Sequence, residues 1–122
     1  GHKLDINDFE KNNLQLLHAK LGAWEAENVY GIKDDDILNS IRYHTTGRSN
    51  MSKLEKIIYI ADFIEPGRKK LKIMSLARKL SFEDLNKAVC LISGSVLEYL
   101  KENHAIIDDM TVKTYKFYSE KQ

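Results

Sequence analysis

The sequence is poor in residues that cross-link or interrupt a chain: its 122 residues include one cysteine, one proline and six glycines. A single cysteine, Cys90, excludes an internal disulfide and a zinc cluster built from cysteines, which favours a reducing, cytoplasmic setting. No apolar run approaches membrane-spanning length, and Gly1 is not followed by the apolar segment of a signal peptide. We therefore predict a single cytoplasmic domain over residues 1–122.

The sequence also lacks an excess of either charge. Nineteen lysines and arginines face eighteen aspartates and glutamates, which gives a formal net charge of +1. This balance provides no electrostatic basis for a general nucleic-acid binder or for a basic membrane-surface domain. Hydrophobic residues make up 43% of the chain, too many for a disordered protein. We therefore expect neither nucleic acid nor membrane as a partner.

Helical spacing of apolar residues recurs along most of the chain, and no alternating pattern indicates a strand. The first predicted helix ends at Gly31 and carries a stripe made of Leu14, Leu17, Leu21 and Trp24. Ser81 and Asp84 resemble a capping box at the start of a long fifth helix. Cys90 is predicted to be a small buried side chain, and four aromatic residues are predicted to lie mostly in the core: Tyr99, Tyr115, Phe117 and Tyr118. The predicted fold class is an all-α helical bundle.

Two of the four histidines adjoin apolar helix faces. His18 is either a ligand or a partly buried side chain bonded to a backbone carbonyl. His44 ends the second helix, where it is either a ligand or a cation at the helix C-terminus. The turn after it contains Thr45, Thr46 and Arg48. These residues supply the hydroxyls and the cation that phosphate binding needs, although a polar loop would contain the same residues.

Asp62 lies on what the spacing predicts to be the inward face of the third helix. That predicted face is made of Leu54, Ile57, Ile58 and Ala61. Burial of a carboxylate costs on the order of several kcal/mol unless a cation meets it. Two explanations stay open: an ion pair with an arginine or lysine, and a metal ligand that shares a pocket with His18 and His44.

Three stretches together carry a family resemblance: LLHAKLGAWEAENVYGI, ILNSIRYHTTGR and MSKLEKIIYIADFIEPGR. They resemble the YqeK-type branch of the HD-domain phosphohydrolases, bacterial enzymes that split diadenosine tetraphosphate symmetrically into two ADP. The similarity is strong over residues 14–68 and looser through IIDDMTVKTYKFY. It implies an HD-domain-like bundle, a dinucleoside polyphosphate substrate and a divalent metal, with iron implied first and manganese or cobalt as alternatives.

The resemblance also implies roles for individual residues. Asp62 matches the last aspartate of the family's pattern, which is a metal ligand. His18 and His44 match two later histidines that, with the arginine matching Arg68, approach the nucleotide phosphates. Arg68 could equally be a solvated charge at the start of RKK. Thr45 accompanies His44 as a phosphate contact, and a joint resembles a nucleotide-contacting segment: Ala105, Ile106, Ile107 and Asp108.

The family's pattern begins with a histidine and a His-Asp doublet, and this sequence contains no such doublet. The chain thus resembles the C-terminal two-thirds of such an enzyme, a bundle incomplete at its N-terminus. We expect weak metal binding and low activity from this chain alone, and exposed apolar surface that favours a homodimer. Two alternatives stay open: a non-catalytic helical module that binds nucleotide or protein, and an HD hydrolase acting on another nucleotide.

Overall fold

The computed structural model describes residues 14–64 and 72–121. Within these ranges the chain is all-α, as the periodicity predicts, and contains no strand. The helices are α1 (Leu14–Asn28), α2 (Asp35–Arg42), α3 (Lys53–Phe63), α4 (Lys72–Ser81), α5 (Leu85–Glu102) and α6 (Asp109–Glu120). Each helix packs on its neighbour in sequence, and α3 also packs on α5. No described helix is both long and apolar enough to span a bilayer.

Local signals fix several helix ends, among them the predicted stop at Gly31. Asp34 caps α2 by accepting a hydrogen bond from the backbone N–H of Asp36 at 2.9 Å. Ser52 caps α3 and accepts from the backbone N–H of Glu55 at 3.2 Å. Gly31 follows α1 with a φ of +72°, a conformation that glycine adopts without a steric penalty.

The start of α5 differs from the predicted capping box. Asp84 itself is the N-cap, and its carboxylate accepts from the backbone N–H groups of Asn86 and Lys87. Ser81 is the last residue of α4, where its hydroxyl donates to the Arg78 carbonyl at 2.6 Å. Because α4 continues through Ser81, this serine cannot occupy the non-helical position that a cap requires.

The core lies where α3, α4, α5 and α6 meet. It consists of Met51, Tyr59, Ile60, Ala77, Ala88, Val89, Ile92 and Tyr118. Of the aromatic residues predicted to be core, Tyr118 is buried and Phe117 is half-buried, but Tyr99 is 64% exposed. Tyr115 is also exposed, and its ring packs beside Gly94, where an added Cβ would lie 2.9 Å from Tyr115 Cε1. Cys90 is half-buried rather than buried, and this burial raises the pKa of its thiol.

From residue 18 onward, the buried side of α1 is made of Ala19, Ala23 and Ala26. Of the predicted stripe, Leu21 and Trp24 are half-buried, and the side chains of Leu14 and Leu17 lie outside the described residues. The contact of α1 with α2 accompanies this burial.

The inward face predicted for α3 is also wrong. Ile57 and Ile58 are 42% and 37% exposed, and Ala61 is exposed as well. The core side is formed instead by Glu55, Tyr59 and Ile60. Within the described residues, the helices that pack on α3 all leave the Ile57–Ile58 side uncovered. Asp62 is therefore half-buried at the margin of that side rather than enclosed in the core.

Candidate phosphate-binding site

The turn after α2 presents His44 and Thr45 side by side. His44 Nδ1 lies 2.6 Å from the backbone carbonyl oxygen of Ile41. A carbonyl oxygen only accepts, so Nδ1 carries a proton and Nε2 is the nitrogen able to contact a ligand. Thr45 Oγ1 is buried and has no hydrogen-bond partner within the described residues. Since buried hydroxyls are normally satisfied, this atom is a candidate ligand contact.

The neighbouring cation of this turn has a structural partner. The Arg48 guanidinium forks onto the Glu55 carboxylate, with Nε 2.8 Å from Oε2 and Nη2 2.5 Å from Oε1. The Glu55 side chain is 2% exposed, and Arg48 also stacks over the Tyr43 ring at 4.9 Å. The hydrogen bond to Glu55 raises the pKa of Arg48 above its ordinary value. Arg48 thus uses Nε and Nη2 within the protein, and its part in phosphate binding stays a prediction.

Thr46 is likewise structural. It is buried, and its hydroxyl donates to the Gly47 carbonyl at 2.9 Å. Its own carbonyl accepts a hydrogen bond from Thr114 of α6 at 3.0 Å. A few residues on, the backbone N–H of Met51 donates to the Tyr118 hydroxyl at 2.7 Å. Two buried side chains of α6 thus hold the segment that follows His44 and Thr45.

Asp62 is connected to this turn through Tyr59. Tyr59 is buried one helical turn before Asp62 on α3, and its Cε2 lies 3.3 Å from the position that a Gly47 Cβ would occupy. Burial, followed by the charge of Asp62, raises the pKa of Tyr59 well above its usual range. Tyr59 thus packs against the turn at Gly47 and is close enough to Asp62 for the charge of that carboxylate to act on it.

His18 is exposed on α1, so it is not the partly buried side chain that the alternative interpretation requires. The short connection between α1 and α2 makes the two helices run antiparallel. Gly22 faces Ile41 at their contact, where an added Cβ would meet Ile41 Cγ2 at 3.4 Å. His18 lies one turn before Gly22 on α1. In an antiparallel pair, this end of α1 is next to the end of α2 that leads into His44.

The predicted nucleotide joint lies at the start of α6. Ala105 and Ile106 are exposed, Ile107 is half-buried, and Asp108 caps α6 by accepting from the Met110 N–H at 2.8 Å. Thr114 follows Asp108 by six residues, about 9 Å along a helix axis. Since Thr114 contacts the turn, this joint belongs to the same region. Arg68, the remaining predicted site residue, lies outside the described residues.

Residues 14–64 and 72–121 do not by themselves form a metal centre. No three histidine, cysteine, aspartate or glutamate side chains within these ranges are grouped so that they could share an ion. Asp62 is thus a single carboxylate, and one carboxylate does not complete a site for a divalent cation.

The sequence interpretation missed three contributors to this region: Glu55, Thr114 and Tyr118. Glu55 follows Ser52 by three residues, which is the spacing of a capping box. This pattern suggests a role at the helix end and gives no sign of the ion pair with Arg48. Thr114 and Tyr118 repeat at helical spacing with Thr111, and all three are buried. A stripe of buried hydroxyl groups on the last helix was the available signal for polar contacts to another segment.

Comparison with known proteins gives a consistent set of relatives. A symmetrical bis(5′-nucleosyl)-tetraphosphatase of Bacillus subtilis is 41% identical over 107 residues, 87% of this chain and 56% of the relative. A protein of the same name from Halalkalibacterium halodurans is 44% identical over 114 residues, 93% of this chain and 60% of the relative. No family model matches the chain.

A solved structure shares the fold. A crystal structure from Clostridium acetobutylicum, described as an HD superfamily hydrolase involved in NAD metabolism, superposes with a TM-score of 0.87 at 40% identity. The match covers 97% of this chain and 62% of that protein. The chain thus spans about three fifths of the length of these relatives. Sequence and fold together show that the chain is similar to proteins named symmetrical bis(5′-nucleosyl)-tetraphosphatase and to a predicted HD superfamily hydrolase.

Proposed function

We propose that this chain is part of a metal-dependent phosphohydrolase that splits diadenosine tetraphosphate symmetrically into two ADP. The names of the B. subtilis and H. halodurans relatives support this substrate. The observation that carries the proposal is the pair formed by His44 and Thr45. The Ile41 carbonyl binds one imidazole nitrogen of His44 and leaves Nε2 for a ligand, and the buried Thr45 hydroxyl has no hydrogen-bond partner within the described residues.

The chemistry of this pair suits a polyphosphate. With Nδ1 held by the Ile41 carbonyl, His44 as an imidazolium donates from Nε2 to a phosphate oxygen. The Thr45 hydroxyl donates to a neighbouring oxygen of the same chain of phosphates. Donors fixed in advance stabilise charge as it moves onto the leaving ADP. We infer that His18, Arg68 and the joint of residues 105–108 complete the binding of the nucleotide around this pair.

We infer that the metal ligands other than Asp62 come from residues outside the described ranges. Divalent metals are general in HD-superfamily hydrolases, and the resemblance favours iron over manganese or cobalt. Ile58 and Ala61, which neighbour Asp62 on α3, are exposed. We infer that a segment bearing the family's histidine and His-Asp doublet would pack on that exposed side of the helix.

A homodimer remains a proposal supported by the same surface. Ile57 and Ile58 are large apolar side chains exposed next to each other on α3. Light scattering across a range of protein concentrations would test it, with Ile58→Asp as the variant expected to shift the chain toward a monomer. A concentration-independent monomer for the unaltered chain would contradict it.

The function is tested with diadenosine tetraphosphate and iron, manganese or cobalt, resolving products by anion-exchange chromatography. ADP as the sole product is expected from a symmetrical hydrolase, whereas ATP with AMP would show asymmetric cleavage and contradict the proposal. We expect Asp62→Ala to abolish metal-dependent turnover. Glu98→Ala removes an exposed carboxylate of α5 and serves as the matched control.

Binding without turnover separates the remaining alternatives. In EDTA, calorimetric titration of diadenosine tetraphosphate into the chain measures nucleotide affinity alone. Binding that His44→Ala weakens, combined with no hydrolysis in any metal even after N-terminal helices bearing the family's histidine and His-Asp doublet are added, would favour the non-catalytic nucleotide-binding module. Tighter binding or faster hydrolysis of NAD or a mononucleotide in a parallel panel would favour an HD hydrolase with another substrate.

A further inference from the structure

The hydroxyl of Thr114 joins α6 to the turn that bears His44. Thr114 is fully buried, and its Oγ1 lies 3.0 Å from the Thr46 carbonyl oxygen and 2.7 Å from the Met110 carbonyl oxygen. Both neighbours only accept, and a hydroxyl has one proton to donate. That proton is therefore shared between the helix itself and a segment 68 residues away in the sequence.

Steric fit reinforces this hydrogen bond at Gly47. Gly47 has a φ of +71°, and a Cβ added there would lie 2.8 Å from Thr114 Cγ2 and 3.3 Å from Tyr59 Cε2. The backbone of the turn thus fits between a side chain of α6 and a side chain of α3. A displacement of either helix toward Gly47 would move the turn, because the space beside its Cα is too small even for a Cβ.

We propose that Thr114 is a positioning residue for His44 and Thr45, an inference that rests on the proposed function of those two residues. Thr46 follows Thr45 directly, so the carbonyl that Thr114 binds is one peptide unit from the buried Thr45 hydroxyl. The same helix begins at Asp108, the end of the predicted nucleotide joint. Through Thr114, α6 sets the distance between the two segments that are proposed to bind the nucleotide.

Paired substitutions separate the hydroxyl from the methyl group. Thr114→Val keeps the shape and removes the hydroxyl, whereas Thr114→Ser keeps the hydroxyl and removes the methyl group that contacts Gly47. Ser119→Ala is the matched control, because its hydroxyl bonds only to the Lys116 carbonyl of the same exposed helix surface. Circular dichroism first establishes that all three variants are folded under the conditions used.

Nuclear magnetic resonance of the free chain supplies a readout that does not depend on any ligand. We expect Thr114→Val to shift the His44 imidazole and Thr45 amide signals. Thr114→Ser and Ser119→Ala should leave both signals close to those of the unaltered chain. Unmoved His44 and Thr45 signals in Thr114→Val would overturn the inference, whether or not the chain binds nucleotide.

Affinity for diadenosine tetraphosphate in EDTA supplies the functional readout. We expect Thr114→Val to weaken binding about tenfold, which corresponds to about 1.4 kcal/mol, and Thr114→Ser to bind within a factor of about two. Shifted signals with unchanged affinity would refute a positioning role for ligand binding. Failure of the unaltered chain to bind would refute the proposed function, while the shifts in the free chain still decide whether Thr114 positions the turn.

Discussion

Replacement of Arg48 by methionine tests whether the ion pair behind the His44 turn behaves as a buried one. The substitution keeps much of the aliphatic length and removes the two hydrogen bonds to Glu55. The carboxylate that remains is 2% exposed, so it loses its partner without gaining water. An unpaired buried charge of this kind is among the few single changes that cost several kcal/mol.

The magnitude follows from the unequal burial of the two partners. Breaking a buried ion pair typically costs about 3–5 kcal/mol. The Arg48 side chain is 31% exposed, so part of the pair is screened by solvent and we expect the lower end, about 3 kcal/mol. Arg48→Lys retains the charge but not the planar fork, and we expect it to lose about 1 kcal/mol.

Urea unfolding followed by circular dichroism measures these losses. The exposed pair of Lys113 and Asp109, 3.3 Å apart on α6, provides a control on the same chain. Lys113→Met should cost less than about 0.5 kcal/mol. The double variant Arg48→Met/Glu55→Met should recover most of the loss, because no charge is then left buried. If Arg48→Met costs no more than Lys113→Met, the pair does not behave as a buried one and this reasoning fails.

Three further predictions concern single side chains, each measured by urea unfolding. Asp84→Ala should lower the free energy of unfolding by about 1 kcal/mol because Asp84 caps α5. An equal loss in Ser81→Ala would instead support the predicted capping box. Tyr118→Phe should cost about 1–3 kcal/mol by leaving the Met51 N–H unsatisfied; a neutral result would mean that water replaces the phenol. Burial raises the pKa of Tyr59 above its ordinary value of about 10, so its contribution is present below that pH and is lost as pH rises. Tyr59→Phe should therefore flatten the fall in stability above about pH 10, and an unchanged slope would contradict the assignment.

The helices were predictable because local signals agree with one another. Acidic or hydroxyl caps, glycine at Gly31 and helical apolar spacing each specify an end or a stripe without reference to the rest of the chain. The error at Ser81 has the same origin. Ser81 and Asp84 lie three residues apart, and both are residue types that cap helix N-termini. Only the length of α4 decides which of them caps α5.

The sequence indicated the residues of the candidate site but not the tertiary contacts that hold them in place. His44 and Thr45 stand out in sequence as ligand-type side chains in a polar turn. Arg48 of the turn stands out for the same reason, yet its partner Glu55 is seven residues away on α3. Sequence alone does not show that the cation is used internally, because this depends on a tertiary contact. The family resemblance likewise contains no information on Thr114, whose partner lies 68 residues away.

The faces of α3 show most clearly what periodicity cannot decide. Tyr59 and Ile60 lie on one side of this helix and Ile57 and Ile58 on the other, so both sides are apolar. Tyr59 packs against Gly47, and both Tyr59 and Ile60 belong to the core that α3 forms with α5. Periodicity counts both sides as apolar, so only these tertiary contacts decide which side of the helix is buried.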